Sequence, residues 1–303
     1  MRDGRLSLVA PPPHHAGMTA ALVLRSLRQR TATESWDLVQ ARPPADLAEL
    51  VLRLTGYEEQ LPSPTLRREL PRPMAVLVIS FGAPFDLGFE HLQEGYAVTC
   101  GSFLAGLHDA TAENRSTGLS HCLQVDLTPL GARLLFGLPL HELGNRIVPL
   151  DALLGAEAGR LEQRLHQLPD WPARFELVLG LLRRRVAEQG GPAPDVRWAW
   201  RQLQASHGAL PIAALTGELA VSRRHLVQRF REELGLAPKT LARMLRFNRA
   251  LDAMTRGDFV DLADLALDAG YYDQAHFNRD FRAFAGQTPG AWLAAADPYR
   301  GAR

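Results

Sequence analysis

The chain has 303 residues, 46% hydrophobic and 22% charged, with a formal net charge of +1. That length suffices for two domains, and so even a balance by itself argues nothing about nucleic acid. No apolar run reaches the ~18 residues of a membrane-spanning helix, and two cysteines, Cys100 and Cys122, are too few for a four-cysteine zinc site.

Residues 1–20 contain Pro11-Pro12-Pro13-His14-His15 and lack the uninterrupted apolar core of a signal peptide. They read as a disordered leader, with Met18 a second candidate start and no metal site at the histidine pair. Without an export signal, both cysteines are expected to be thiols in a reducing, cytoplasmic compartment. Residues 30–150 read as mostly β. Trp36–Val39, Met74–Ile79, Phe85–Phe89, Tyr96–Leu104 and His121–Leu127 are short β-type runs punctuated by Gly82, Pro84, Gly95, Gly101 and Gly118. Leu123, Val125 and Leu127 alternate with Gln124 and Asp126, as in a half-buried strand. Short strands at this spacing predict a barrel or sandwich.

An enzyme is not expected. His91, His108, His121 and His141 stand alone, with no His-x-His pair of the kind that metal-dependent barrels use. No Gly-x-Ser-x-Gly turn, phosphate loop or dinucleotide fingerprint is present, so no cofactor is assigned.

Glu157–Leu168 and Ala173 to about Glu188 read as amphipathic helices, the second followed on its polar side by Arg183-Arg184-Arg185. Gln189-Gly190-Gly191-Pro192-Ala193-Pro194 breaks helices and reads as a linker. The expected division is therefore a leader at 1–20, a β-rich domain with C-terminal helices at 21–188, a linker at 189–195 and a helical domain at 196–297.

Within that last domain one pattern is written twice. Ser222, Arg231, Phe230, Gly235 and Pro238 recur as Asp273, Arg282, Phe281, Gly286 and Pro289, each 51 residues later. Each copy reads as a short helix, a tight turn and a second helix. Ser222 and Asp273 are N-caps, and Gly235 and Gly286 suit the left-handed position past a helix end. Leu226, Phe230 and Leu234 form one inward stripe, Phe277 and Phe281 the other. Arg224 and Gln228 project opposite the first stripe, Ala275 and Arg279 opposite the second. Arg and Gln read base edges by bidentate hydrogen bonds, and a capped helix carrying them is what enters a major groove. Between the copies, Lys239–Arg256 is expected to be one helix. Charge is concentrated here: residues 221–250 hold eight basic against two acidic side chains, net +6, and residues 251–270 one basic against five acidic, net −4.

On these residues, and on the run Gly270-Tyr271-Tyr272-Asp273-Gln274-Ala275-His276-Phe277-Asn278-Arg279 above all, residues 210–293 resemble the DNA-binding domain of the AraC/XylS family of bacterial transcription regulators. The resemblance implies two recognition helices in successive major grooves of double-stranded DNA. Base contacts then fall to Arg224, Val227, Gln228, Gln274, Ala275 and Arg279, and phosphate contacts to Ser222, Arg223, Arg231, Lys239, Arg246 and Asn278. The stretch from Val125 through Leu143 to Asp151 resembles the cupin-like sensor halves of the same family. The expected fold is thus α+β, a cupin-like β-barrel sensor joined to an all-α domain with two helix-turn-helix units. The function implied is a DNA-binding regulator controlled by a small-molecule effector, acting at the nucleoid with RNA polymerase and as a homodimer through its N-terminal domain. The alternative is a regulator without such a ligand, controlled by its abundance or by a protein partner.

Overall fold

The computed structural model describes residues 7–8, 23–31, 33–89, 98–189 and 193–295. Most of the expected leader, with His14, His15 and Met18, lies outside these residues, as do His91, Gly95, Tyr96 and linker residues 190–192.

In chain order the strands are β1 (Ser7–Leu8), β2 (Val23–Arg30), β3 (Ser35–Ala41), β4 (Val51–Gln60), β5 (Thr65–Glu69), β6 (Ala75–Ser80), β7 (Phe85–Phe89), β8 (Val98–Cys100), β9 (Phe103–Ala105), β10 (Ala112–Ser116), β11 (Leu119–Leu127) and β12 (Ile147–Pro149). They form two antiparallel sheets, ordered β1-β2-β3-β4-β11-β6-β9-β12 and β5-β10-β7-β8. Register gives the larger sheet two unlike faces, because residues opposite one another point the same way and successive residues alternate. Leu54, Val125 and Leu77 lie opposite one another on one face, which is buried and apolar. Tyr57, Cys122 and Ser80 lie opposite one another on the other. That second face meets the smaller sheet. Val78, Phe103 and Cys122 share an apolar cluster there with Phe85 and Leu87, and Arg67 on β5 donates to Tyr57 Oη (2.6 Å) and Glu59 Oε1 (2.5 Å) on β4.

β3, β6, β7 and β11 fall where the sequence puts them. The run at Tyr96–Leu104 proves to contain two strands, not one. The chain leaves the smaller sheet after β8, crosses at Gly101-Ser102, and enters the larger as β9.

The helices are α1 (Pro129–Phe136), α2 (Leu150–Leu154), α3 (Ala156–Gln167), α4 (Trp171–Gln189), α5 (Pro194–Ala205), α6 (Ile212–Glu218), α7 (Arg223–Leu234), α8 (Pro238–Arg256), α9 (Leu262–Asp268), α10 (Gln274–Ala285) and α11 (Pro289–Ala294). α1 and α4 cover the apolar face of the larger sheet, with Leu130, Leu134, Phe175 and Leu179 in its core. α4 starts at Trp171, two residues before the expected Ala173, because Asp170 accepts from Ala173 N (2.9 Å) and caps the earlier turn. Trp171 then lies against β4, where a Cβ on Gly56 would come within 2.3 Å of the indole.

The same apolar core runs on into α5, α6 and α7, taking in Val196, Trp200, Leu215, Leu226, Phe230, Leu234 and Leu241. A separate cluster from Met244 to Ala285 holds α9 and α10. α8 belongs to both, with Leu241 and Ala242 in the first and Phe247 and Leu251 in the second. Among the described residues no helix is long and apolar enough to cross a membrane.

Candidate nucleic-acid interface

The first unit is α6, a tight turn and α7. Ser222 closes the turn in an extended conformation, and its Oγ accepts from His225 N at 3.1 Å. Leu226, Phe230 and Leu234 are buried beneath α7, and each such side chain contributes ~1.5–3 kcal/mol of burial. Their spacing leaves the opposite side of α7 outward: Arg224 and Gln228 are exposed and Val227 is half-buried. Gln228 donates to Glu232 Oε1 along the helix (3.0 Å).

The second unit repeats this with α9 and α10. Asp273 accepts from His276 N at 2.6 Å, Phe277 and Phe281 are fully buried, and Gln274, Ala275 and Arg279 are exposed. Both recognition helices have 12 residues and end on a left-handed glycine, Gly235 (φ 84°) and Gly286 (φ 70°). The 51-residue spacing holds for α7 and α10 but not for the helices before them. α6 and α9 are 50 apart, as are the positive-φ turn residues Ala220 and Gly270. The second turn therefore carries one extra residue, and Tyr272 fills that place, 87% exposed.

The expected phosphate contacts divide. Ser222, Arg223, Arg231 and Lys239 are exposed. Arg223, Lys239 and Arg246 line an open groove of about 560 Å³ with Thr216 and Pro211, where α6, α7 and α8 meet. Arg246 is held in its wall, donating to Gly208 O (2.5 Å) with its guanidinium 5.4 Å from the Tyr271 ring centre. Asn278 is half-buried. The second unit carries an acidic groove at a non-equivalent position. Asp258, Asp264 and Asp268 line a groove of about 510 Å³ with Val260 and Leu267.

One strut escaped the sequence reading. Arg243 on α8 donates to Asp280 on α10 (2.9 and 3.0 Å) and lies over the Phe284 ring. Asp280 is buried, three residues after Phe277 and four before Phe284. A carboxylate set inside an apolar stripe was the available signal, since a buried charge is seldom unpaired.

The isolated histidines have separate surroundings. His108 Nδ1 meets Ala110 O at 2.7 Å. His121 packs edge-on to Phe81 and Trp171, and burial, aided by Arg174, lowers its pKa. Burial pushes the Cys122 thiol up to about 12 and the Cys100 thiol up to about 11, which keeps both protonated.

Residues 215–295 match a family model described as a helix-turn-helix domain. With two capped units joined by α8, this decides the C-terminal part. Residues 215–295 are a DNA-binding helix-turn-helix domain of the AraC type. Residues 39–149 match a model described only as a domain of unknown function. Among curated proteins none matches the chain. Among solved structures, ToxT from Vibrio cholerae is similar at 14% identity, covering 76% of this chain and 97% of its own, with a TM-score of 0.43. The DNA-binding domain of AdpA, a global transcriptional factor in complex with a target DNA, is similar at 24% identity over 37% of this chain and 97% of its own, TM-score 0.32. A probable AraC family regulator from Rhodopseudomonas palustris matches at 26% identity over 35% of this chain and all of its own, TM-score 0.31.

Proposed function

We propose that this protein is a sequence-specific transcription regulator that lays both recognition helices on double-stranded DNA, under the control of a small-molecule effector bound by its N-terminal domain. The observation that carries the DNA part is the outward face repeated at 51 residues: Arg224 and Gln228 on α7, Ala275 and Arg279 on α10, each behind a capped turn and over a fully buried stripe. Arg224, Val227, Gln228, Gln274, Ala275 and Arg279 are the proposed base contacts. Ser222, Arg223, Arg231, Lys239, Arg246 and Asn278 are the proposed phosphate contacts. The uneven charge supports an unequal grip: residues 221–250 carry a net +6 and residues 251–270 a net −4, so α7 and the first part of α8 supply most of the backbone attraction.

The effector part is supported by the polar groups buried between the sheets. Tyr57, Glu59 and Arg67 form a polar cluster there, and Glu59, although 95% buried, has no hydrogen-bond partner for Oε2 among the described residues. Ser120 lies opposite Glu59 in the ladder, and its buried Oγ is likewise unpartnered. Buried acceptors left unmet are costly, and a donor-bearing ligand would satisfy them. In this reading the protein works at the nucleoid with RNA polymerase, and its N-terminal domain also forms the homodimer contact.

Selection of random duplex DNA on the purified protein tests the DNA part. One recovered sequence family, bound with an affinity that falls steeply as salt rises, is the expected result; recovery of unrelated sequences only would contradict it. A thermal-shift screen of small molecules tests the effector part. Glu59→Gln should abolish the shift given by any molecule that seats on this cluster, and shifts untouched by that substitution would place the effector elsewhere.

A further inference from the structure

The N-terminal domain touches both helix-turn-helix units, and it does so with different layers. The helical layer of the larger sheet holds the first unit. Glu49, in the turn before β4, accepts from Arg201 (2.7 and 3.0 Å) and Arg197 of α5, which shares its core with the first unit, and the two guanidinium groups hold its carboxyl down at about 2. Arg133 of α1 faces Glu233 of α7 at 3.5 Å, and Leu140 packs in one core with Phe230 and Leu234.

The smaller sheet holds the second unit. Ala112 on β10 lies opposite Glu69 on β5, so Thr111 and Leu70-Pro71-Arg72 sit side by side at one end of that sheet. Thr111 Oγ1 donates to Phe284 O near the end of α10 (3.1 Å, buried). Pro71 O accepts from Asn248 Nδ2 (3.0 Å, buried), and Arg72 pairs with Asp252 (3.2 Å), both on the second half of α8. Leu70 packs into the cluster that holds α9 and α10.

We propose that the N-terminal domain is a second brace between the two helix-turn-helix units, parallel to α8, and that the separation of its sheets sets the angle between α7 and α10. Whatever loosens or replaces the Arg67 contacts to Tyr57 and Glu59 then moves β5, whose far end grips the second unit three residues beyond Arg67. The brace rests on the DNA reading above and gives it a route of control: the half-site spacing that the protein accepts.

The test uses the full chain and a duplex that the wild-type protein selects from random DNA, together with the same duplex carrying one extra base pair between its half-sites. The double variant Thr111→Val/Arg72→Met removes one buried and one part-exposed grip on the second unit, and Val in place of Thr keeps the buried volume. For wild type the insertion should lower affinity about tenfold, the size of one wrong base pair. For the variant that penalty should shrink to about threefold or less, with binding to the parent duplex nearly unchanged. Hydrogen exchange should rise along α10 and the second half of α8, and stay as in wild type along α7. A folded variant with the wild-type penalty and wild-type exchange would overturn the brace. A wild-type protein that selects no duplex would instead sink the DNA reading, and the brace with it.

Discussion

Arg279 and Arg231 are both exposed, yet their positions give them different tasks. Arg279 stands on the outward face of α10, so Arg279→Ala should cost ~1–3 kcal/mol on the selected duplex and relax preference at one base pair. Arg231 stands in the last turn of α7, where the proposed docking gives it a phosphate rather than a base. Arg231→Ala should weaken all duplexes alike and reduce the slope of log affinity against log salt by about one. Equilibrium binding on selected and random DNA separates the two, and an equal loss on both duplexes for Arg279→Ala would remove it from the base contacts. Glu49 makes a pH prediction. Arg197, with Arg201, lowers its carboxyl from 4.5 to about 2. A lowered folded-state value contributes stability above 4.5 that is lost as pH falls toward 2. Glu49→Gln should therefore lower the melting temperature at pH 7 and converge with wild type near pH 2, in melts followed across that range; a difference constant with pH would refute the ion pair. Gly131 predicts through space rather than charge. A Cβ there would meet Leu50 O at 2.0 Å, a backbone atom that cannot swing aside, so Gly131→Ala should cost ~1–3 kcal/mol or more in chemical denaturation.

α8 is where element and function meet. Its sequence marks were complete: Pro238 at the first position, Gly257 beyond the end, and apolar residues between at helical spacing, and the helix runs Pro238–Arg256. At ~1.5 Å per residue its 19 residues span about 28 Å, near the ~34 Å repeat of successive major grooves on one face of DNA. Arg249 is exposed, so Arg249→Pro breaks the helix without removing a core side chain, at ~3 kcal/mol or more. A folded Arg249→Pro protein should lose protection of one half-site; protection of both would show that α8 does not fix the spacing. The caps and stripes of α7 and α10 were equally legible because each is local. β4 was not. Its ten residues include Gly56, Glu58 and Glu59, which give no β-type run, and two of its charges find partners far away in sequence, Arg53 meeting Asp126 at 2.7 Å and Glu59 meeting Arg67 at 2.5 Å. The extra residue at Tyr272 was hidden for a different reason: the matching caps lie after the turn, so they fix the 51-residue spacing and are silent on the helix before it.

At the scale of the whole molecule, the larger core passes from β-sheet to α7 without interruption. Two-state melting of that core and the first unit together is expected in calorimetry; an early transition confined to the first unit would show that the shared core does not couple them. The contacts that join the halves were invisible in sequence because two use backbone oxygens, Pro71 O and Phe284 O, and the others pair side chains far apart along the chain. In the proposed function one chain presents two recognition helices to adjacent grooves. A hydroxyl-radical footprint of the wild-type protein on its selected duplex, at a measured stoichiometry of bound chains, tests it most directly. Two protected stretches per chain are expected, on one face of the DNA, with centres ~10–10.5 base pairs apart. One stretch per chain, or two on opposite faces, would contradict it.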